Sequence, residues 1–158
     1  MKKYLVTIFL FLCCSALSAQ KATATADSNQ IKNKLIEFTR LYYKRTEVDS
    51  LVDFLAFPLY SKQWYGNKTW RSAKQLKQEL KAILMRSKFR RMNYTVQSLY
   101  QIKNKKNPAI KGSNYTCFQM IVHLPDVGES DNGSYVKFSF YVEKKKPYKI
   151  VGVTSEDL

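Results

Sequence analysis

The sequence is short of the residues that most often carry chemistry. Of 158 residues, three are cysteine, one is histidine and five are glycine. Cys13 and Cys14 stand in an apolar N-terminal run, which leaves Cys117 without a second cysteine in the rest of the chain. A disulfide framework is thereby excluded for that part, and its lone thiol is expected to pack as a small hydrophobe. His123 is the sole imidazole. One His, one Cys and no close carboxylate triplet make no metal-ligand set, so neither a metal nor a cofactor is expected. The glycines form no phosphate-cradling loop, and no serine stands in a nucleophile elbow. Acidic side chains are scarce as well, with 12 Asp and Glu against 27 Lys and Arg, a formal net charge of +15.

What is present begins with a targeting pattern. Lys2 and Lys3 precede the apolar run YLVTIFLFLCCSAL, and SALSA then supplies small residues for cleavage after Ala19. The run is shorter than the roughly 20 apolar residues of a membrane-spanning helix. Residues 1–19 therefore read as a signal peptide, and the chain as exported, periplasmic or secreted, with no transmembrane anchor after processing. Leu12 and Cys13 stand before the two cysteines where a lipid-attachment signal needs a small residue. Loss of Lys2 and Lys3 lowers the net charge to +13. Such a balance favours anionic polymers or surfaces as partners. The basic residues cluster over Arg86 to Arg91 (Arg86, Arg90, Arg91), Lys103 to Lys111 (with Lys105 and Lys106) and Lys144 to Lys149 (with Lys144, Lys145 and Lys146). The last two clusters, in turns between strands, are expected at the same end of the sheet. Lysine-rich turns also belong to ordinary solvated sheet edges.

Residues 20–29, QKATATADSN, read as a flexible leader, with Asp27 or Ser28 capping a helix. Ile31, Leu35, Phe38, Leu41 and Tyr42 then share one helical face up to about Arg45. TEVDS restarts a short helix with Leu51, Phe54 and Leu55 inward, closed by Pro58. PLYSKQWY and KTW form a small hairpin turning at Gly66-Asn67. SAKQ, Ser72 to Gln75, is a capping box for a third helix carrying Leu76, Leu80, Ile83 and Leu84 on one side. After Phe89 four segments rich in β-branched and aromatic residues follow. Phe118, Met120, Val122 and Leu124 line one face of their strand, and Val136, Phe138, Phe140 and Val142 one face of the next. The opposite faces, with Tyr115, Cys117, Gln119, Ile121, His123, Tyr135 and Tyr141, are semi-polar. This is an α+β pattern: three N-terminal helices on a curved antiparallel sheet, with residues 30–158 forming one domain.

Residues 30–155 resemble the NTF2-like superfamily, the cystatin-like α+β cone shared with SnoaL-like proteins and ketosteroid isomerases. The block FPLY…YGNKTWRSAKQLKQELKAIL carries the resemblance, because that family has a short strand pair after its second helix and a Ser- or Thr-led third helix. The resemblance implies a cone-shaped cavity between helices and sheet, and pairing of two copies through the sheet face. Tyr42, Tyr60, Trp64, Tyr65 and Trp70 would meet at the cone mouth, with Phe118 and Met120 inside, to receive a small apolar ligand. No acid is placed to act as a buried base: Glu37 falls off the buried stripe, Asp53 points away, and Glu143 lies on the semi-polar face. The reading that follows is an exported, non-catalytic binding or interaction module of the cell envelope, using the cone or the outer sheet face. Two rivals stand beside it. One is a small isomerase, dehydratase or hydrolase using His123, and the other a polyanion-binding envelope protein. Cleavage after Ala19 predicts that mass spectrometry of the exported chain finds Gln20 as its first residue; retention of Lys2 and Lys3 would contradict it.

Overall fold

A computed structural model describes residues 26–44, 48–64, 66–86, 92–112, 114–125 and 133–158, with backbone only over 83–86. The first helix, α1, is described over residues 26–44. Residues 26–29 thus belong to the helix and not to a leader, and Asp27 and Ser28 lie within it instead of capping it. The Asp27 carboxylate accepts a hydrogen bond from the Tyr148 hydroxyl at 2.6 Å, which ties the helix to a distant turn. Ile31, Leu35, Phe38 and Leu41 are buried as their spacing requires. A second short helix, α2, spans Val48–Val52 and buries Leu51 and Val52.

The chain is extended again by Leu55, where β1 (Leu55–Lys62) begins. Pro58 therefore does not close the helix; it lies inside a strand. It is tolerated there because pairing slips between Leu55 and Tyr60, so the missing N–H interrupts no regular ladder. β1 turns through Gln63 and Gly66, both at positive φ, into β2 (Lys68–Trp70). Ser72 and Gln75 then start α3 (Ala73–Arg86). The Ser72 hydroxyl accepts from the Gln75 amide at 3.3 Å. The Gln75 side chain accepts from the Arg71 amide at 3.2 Å, one residue earlier than a standard capping box. Leu76 and Leu80 are buried, whereas the side chains of Ile83 and Leu84 lie outside the described residues.

Four longer strands follow: β3 (Thr95–Ile102), β4 (Tyr115–Leu124), β5 (Ser134–Glu143) and β6 (Ile150–Asp157). They do not form a sheet separate from the hairpin. All six strands make one sheet in the order β2-β1-β6-β5-β4-β3. β1 runs parallel to β6 and every other pair is antiparallel, so the sheet is mixed and not antiparallel throughout.

The predicted packed face is the inner one, in register: Phe118 opposite Phe140, Met120 opposite Phe138, Val122 opposite Val136. Phe38 of α1 presses on it, with ring centroids 5.7 Å from Phe140, 5.8 Å from Trp64 and 6.1 Å from Phe54. Trp64 continues the cluster to Trp70 at 6.0 Å and Tyr42 at 5.9 Å. Tyr43 is more buried than Tyr42 and stacks on Tyr94.

The outer face is not uniformly wet. Tyr60, Gly152, Tyr141 and Cys117 lie side by side across it. The connection after β3 folds over this row. A methyl group added at Gly152 would meet Ile110 Cδ1 at 2.6 Å and the Tyr141 ring at 3.3 Å. Cys117, Ser139 and Tyr141 are buried beneath it. Burial pushes the Cys117 thiol pKa up, against the opposing pull of the nearby Lys105 charge.

Two outcomes test this packing. Trp70→Ala should lower unfolding free energy by about 3–5 kcal/mol in urea titrations, as truncation of a fully packed aromatic does. Cys117 should resist alkylation at mildly alkaline pH in the native protein and react promptly in denaturant, since a buried, raised-pKa thiol carries little thiolate.

Candidate functional site

The side chains expected to line the cone are placed as follows. Trp64, Trp70, Phe118 and Met120 are 0–1% exposed. A side chain bordering a space large enough for water keeps accessible area even when that space is closed. These four therefore fill the interior instead of bordering a ligand cavity. Thr39 caps the arrangement by reaching Met120 Sδ at 3.3 Å. Tyr42 is half-buried and holds Trp64 and Phe138 by its ring. Tyr60 is not at the cone mouth at all. Leu59 and Ser61 take the inner face of β1, so alternation turns Tyr60 to the outer face beside Gly152. Tyr65 lies outside the described residues.

The basic clusters divide differently. Arg90 and Arg91, and the Arg86 side chain, lie outside the described residues. Lys105 and Lys106 do meet Lys144, although 38 residues separate Lys106 from Lys144. With Lys103 they line a recess of about 220 Å³ at the end of the sheet, together with Gln101, Thr116, Tyr115 and Cys117. Its lining contains no carboxylate. A second recess of about 380 Å³ lies against the same tyrosine and is lined by Ile110, Lys111, Asn114, Glu143, Lys145 and Val151. Lys146 is exposed and borders neither.

Backbone geometry builds these recesses. Asn104 turns the chain at φ 59°, and Gly112 turns it back at φ 93°. The Lys144 amide donates to the Asn114 carbonyl at 3.1 Å, which joins the connection after β3 to the connection after β5. The Tyr115 hydroxyl accepts from the Asn107 amide at 2.8 Å and donates to the Asn107 carbonyl at 3.2 Å, so its ring is a fixed wall. Lys105 lays its stem over the sheet and donates to Ser139 Oγ at 3.2 Å. Gln101 Nε2 donates to Thr116 Oγ1 at 2.8 Å, leaving the Thr116 proton to donate elsewhere. The sequence marked the lysines, Lys103 among them, by charge but gave no sign of Thr116 or Gln101 as companions, because their proximity depends on where two loops close.

His123 lies on the outer face, stacked on Tyr135 with ring centroids 4.6 Å apart. Glu37 is bound to Arg40 on the exposed side of α1, and this hydrogen bond holds its carboxyl below the usual range. Asp53 is exposed, and Glu143 lines the second recess. Among the described residues no three His, Cys, Asp or Glu side chains gather as a metal site. No described helix is long and apolar enough to cross a membrane.

No family model matches the sequence, and no curated protein matches it. Solved structures do. A cystatin-like protein of unknown function from Nostoc punctiforme aligns at TM-score 0.56 and 11% identity, covering 80% of this chain and 90% of that one. The beta subunit of benzoate 1,2-dioxygenase from Burkholderia mallei aligns at TM-score 0.54 and 10% identity, covering 81% and 88%. A chain from the yeast complex of a deubiquitinase with its cofactor aligns at TM-score 0.52 and 10% identity, covering 81% and 96%. Identities this low speak to architecture alone. Three helices, the strand pair before the third, and the mixed sheet they share give this chain the NTF2-like, cystatin-like α+β fold.

Proposed function

We propose that this protein is an exported, non-catalytic binding module whose ligand is held at the loop end of the sheet and not in the cone. The observation that carries this reading is the contrast between the two ends. Among the described residues the Trp64, Trp70 and Phe118 rings are almost wholly shielded from solvent, while the lysine-bearing loops border two recesses outside the core. Cavities lined by a few convergent polar groups beside apolar walls are the usual form of a small-molecule site. An enzyme of the isomerase kind would need an acid or imidazole inside the cone. Among the described residues Glu37, Asp53, Glu143 and His123 all lie outside it. Similar folds occur as the beta subunit of a dioxygenase and in a deubiquitinase complex, which supports a role as a component that binds or assembles.

The outer face away from the loops supports a second contact. Tyr100 and Tyr135 are 44% and 39% exposed there, on strands two apart in the sheet. We assign this surface to a second copy of the chain. Tyrosine gives large contact area at low entropic cost and is enriched in interface cores.

Native mass spectrometry of the exported protein, taken from its own compartment, tests both assignments. The expected spectrum is a dimer with a small-molecule adduct that disappears on denaturation and is missing from Lys106→Gln/Lys144→Gln. An adduct kept by that variant but lost on Tyr42→Ala would return the ligand to the cone.

A further inference from the structure

The two recesses share a wall, and their linings are chemically unlike. The smaller is lined by Lys103, Lys105, Lys106 and Lys144, and its lining holds no carboxylate to neutralise them. Lys105 keeps two N–H groups beyond the one given to Ser139. Such a lining complements an acceptor-only, negatively charged group. At about 220 Å³ it is below the roughly 300–1,000 Å³ of pockets that enclose a whole drug-sized ligand. It suits one charged substituent of a larger molecule.

The larger recess, about 380 Å³, mixes donors and acceptors. Asn114 offers both, Glu143 accepts, and Lys111 and Lys145 donate, while Ile110, Val151 and the Tyr115 ring supply apolar surface. A body bearing several hydroxyls meets this pattern, since each hydroxyl both donates and accepts. A purely apolar chain would strip water from Glu143 and Asn114 with no replacement.

Resting on the loop-end reading above, we infer that the paired recesses bind a small sugar carrying a tetrahedral oxyanion. The sulfate or phosphate lies among Lys103, Lys105, Lys106 and Lys144, and the hydroxylated ring crosses Tyr115 toward Asn114 and Glu143. Lys106 and Lys144 are exposed, so their charge is available to ligand at no cost to the core. The loop hydrogen bond between the Lys144 amide and the Asn114 carbonyl fixes the two halves at a constant separation.

Isothermal titration of the full processed chain decides the matter. The probes are a monosulfated disaccharide, the same disaccharide without sulfate, a hexose phosphate and a single-stranded oligonucleotide. One of the two oxyanion sugars should bind, and which of them binds identifies sulfate or phosphate as the group recognised. The uncharged sugar should bind at least tenfold more weakly, and added salt should weaken the charged one. Lys106→Gln/Lys144→Gln should lose at least tenfold in affinity at an unchanged melting temperature, whereas Lys74→Gln on exposed α3 should bind as the parent does. Equal binding of charged and uncharged sugars, binding of the oligonucleotide alone, or full affinity in the double variant would overturn the inference. If no sugar binds yet the natural adduct still vanishes in the double variant, the sugar inference falls and the loop-end binding module stands. If that adduct persists in the double variant, both fall.

Discussion

The fold turns on the ring of Phe38. From the middle of α1 it reaches three partners that are far apart in sequence: Phe54 after α2, Trp64 after β1, and Phe140 in β5. Each edge-to-face or tilted pair adds about 0.5–1.5 kcal/mol beyond the burial of the rings themselves. More important is the geometry that these contacts impose. They set the height of α1 above the sheet and bring the hairpin that carries Trp64 and Trp70 under the same helix. Thr39, the next residue, meets Met120 of β4 and returns its hydroxyl proton to the Leu35 carbonyl or the sulfur, so the helix is registered against two strands at once. Removing this wedge would leave large rings on both sides without neighbours, and close-packed interiors relax only partly around such a loss.

A filled interior has a consequence for function. Between helices and sheet, among the described residues, aromatic side chains pack closely against one another. Two tryptophans, Phe38 and the Phe118–Phe140 pair occupy what smaller residues would leave open. Recesses then arise where backbone, not side chains, defines the surface: the connections after β3 and β5, which hydrogen-bond to one another beyond the end of the sheet. Loops on a rigid scaffold are the common place for binding residues. The parallel pairing of β1 with β6 contributes to that rigidity, since it locks the hairpin into the main sheet and leaves β2 and β3 as the edges.

Charge is distributed in keeping with this division. The described ion pairs use Arg40 with Glu37, Lys68 with Glu79, Lys77 with Asp49, and Lys137 with Glu156. All four are on exposed or half-exposed surface, where a single pair is worth about 0–1 kcal/mol, so they decorate the fold more than they hold it. Asp49 and Glu79 are held below the ordinary carboxylate range by their lysines. With 12 acids against 27 bases, basic side chains outnumber carboxylates by 15, and four lysines line one recess.

The local pattern of the chain settled a good deal. Helical spacing identified Ile31, Leu35, Phe38 and Leu41 as buried, and the strand alternation named both inner rows, Phe118 to Leu124 and Val136 to Val142. The Ser72 start of α3 and the turn at Gly66 were legible because capping and positive φ are properties of a few adjacent residues. Side-chain identity also fixed the excess of positive charge. Partnership across distance was not legible. The parallel neighbour of β1 and the Cys117 row under Ile110 each join segments tens of residues apart, whereas the two lysine-rich turns were expected at one end of the sheet and do meet there. A period of two or 3.6 residues says which face a side chain takes, and nothing about what arrives to cover that face. The sequence by itself determined the elements, their inner faces and the sign of the surface charge, because these follow from local sterics and polarity. Only the tertiary structure decided that Trp64, Trp70, Phe118 and Met120 are packed away from solvent and that Thr116 and Gln101 join the lysines, because both depend on how non-adjacent segments share one volume.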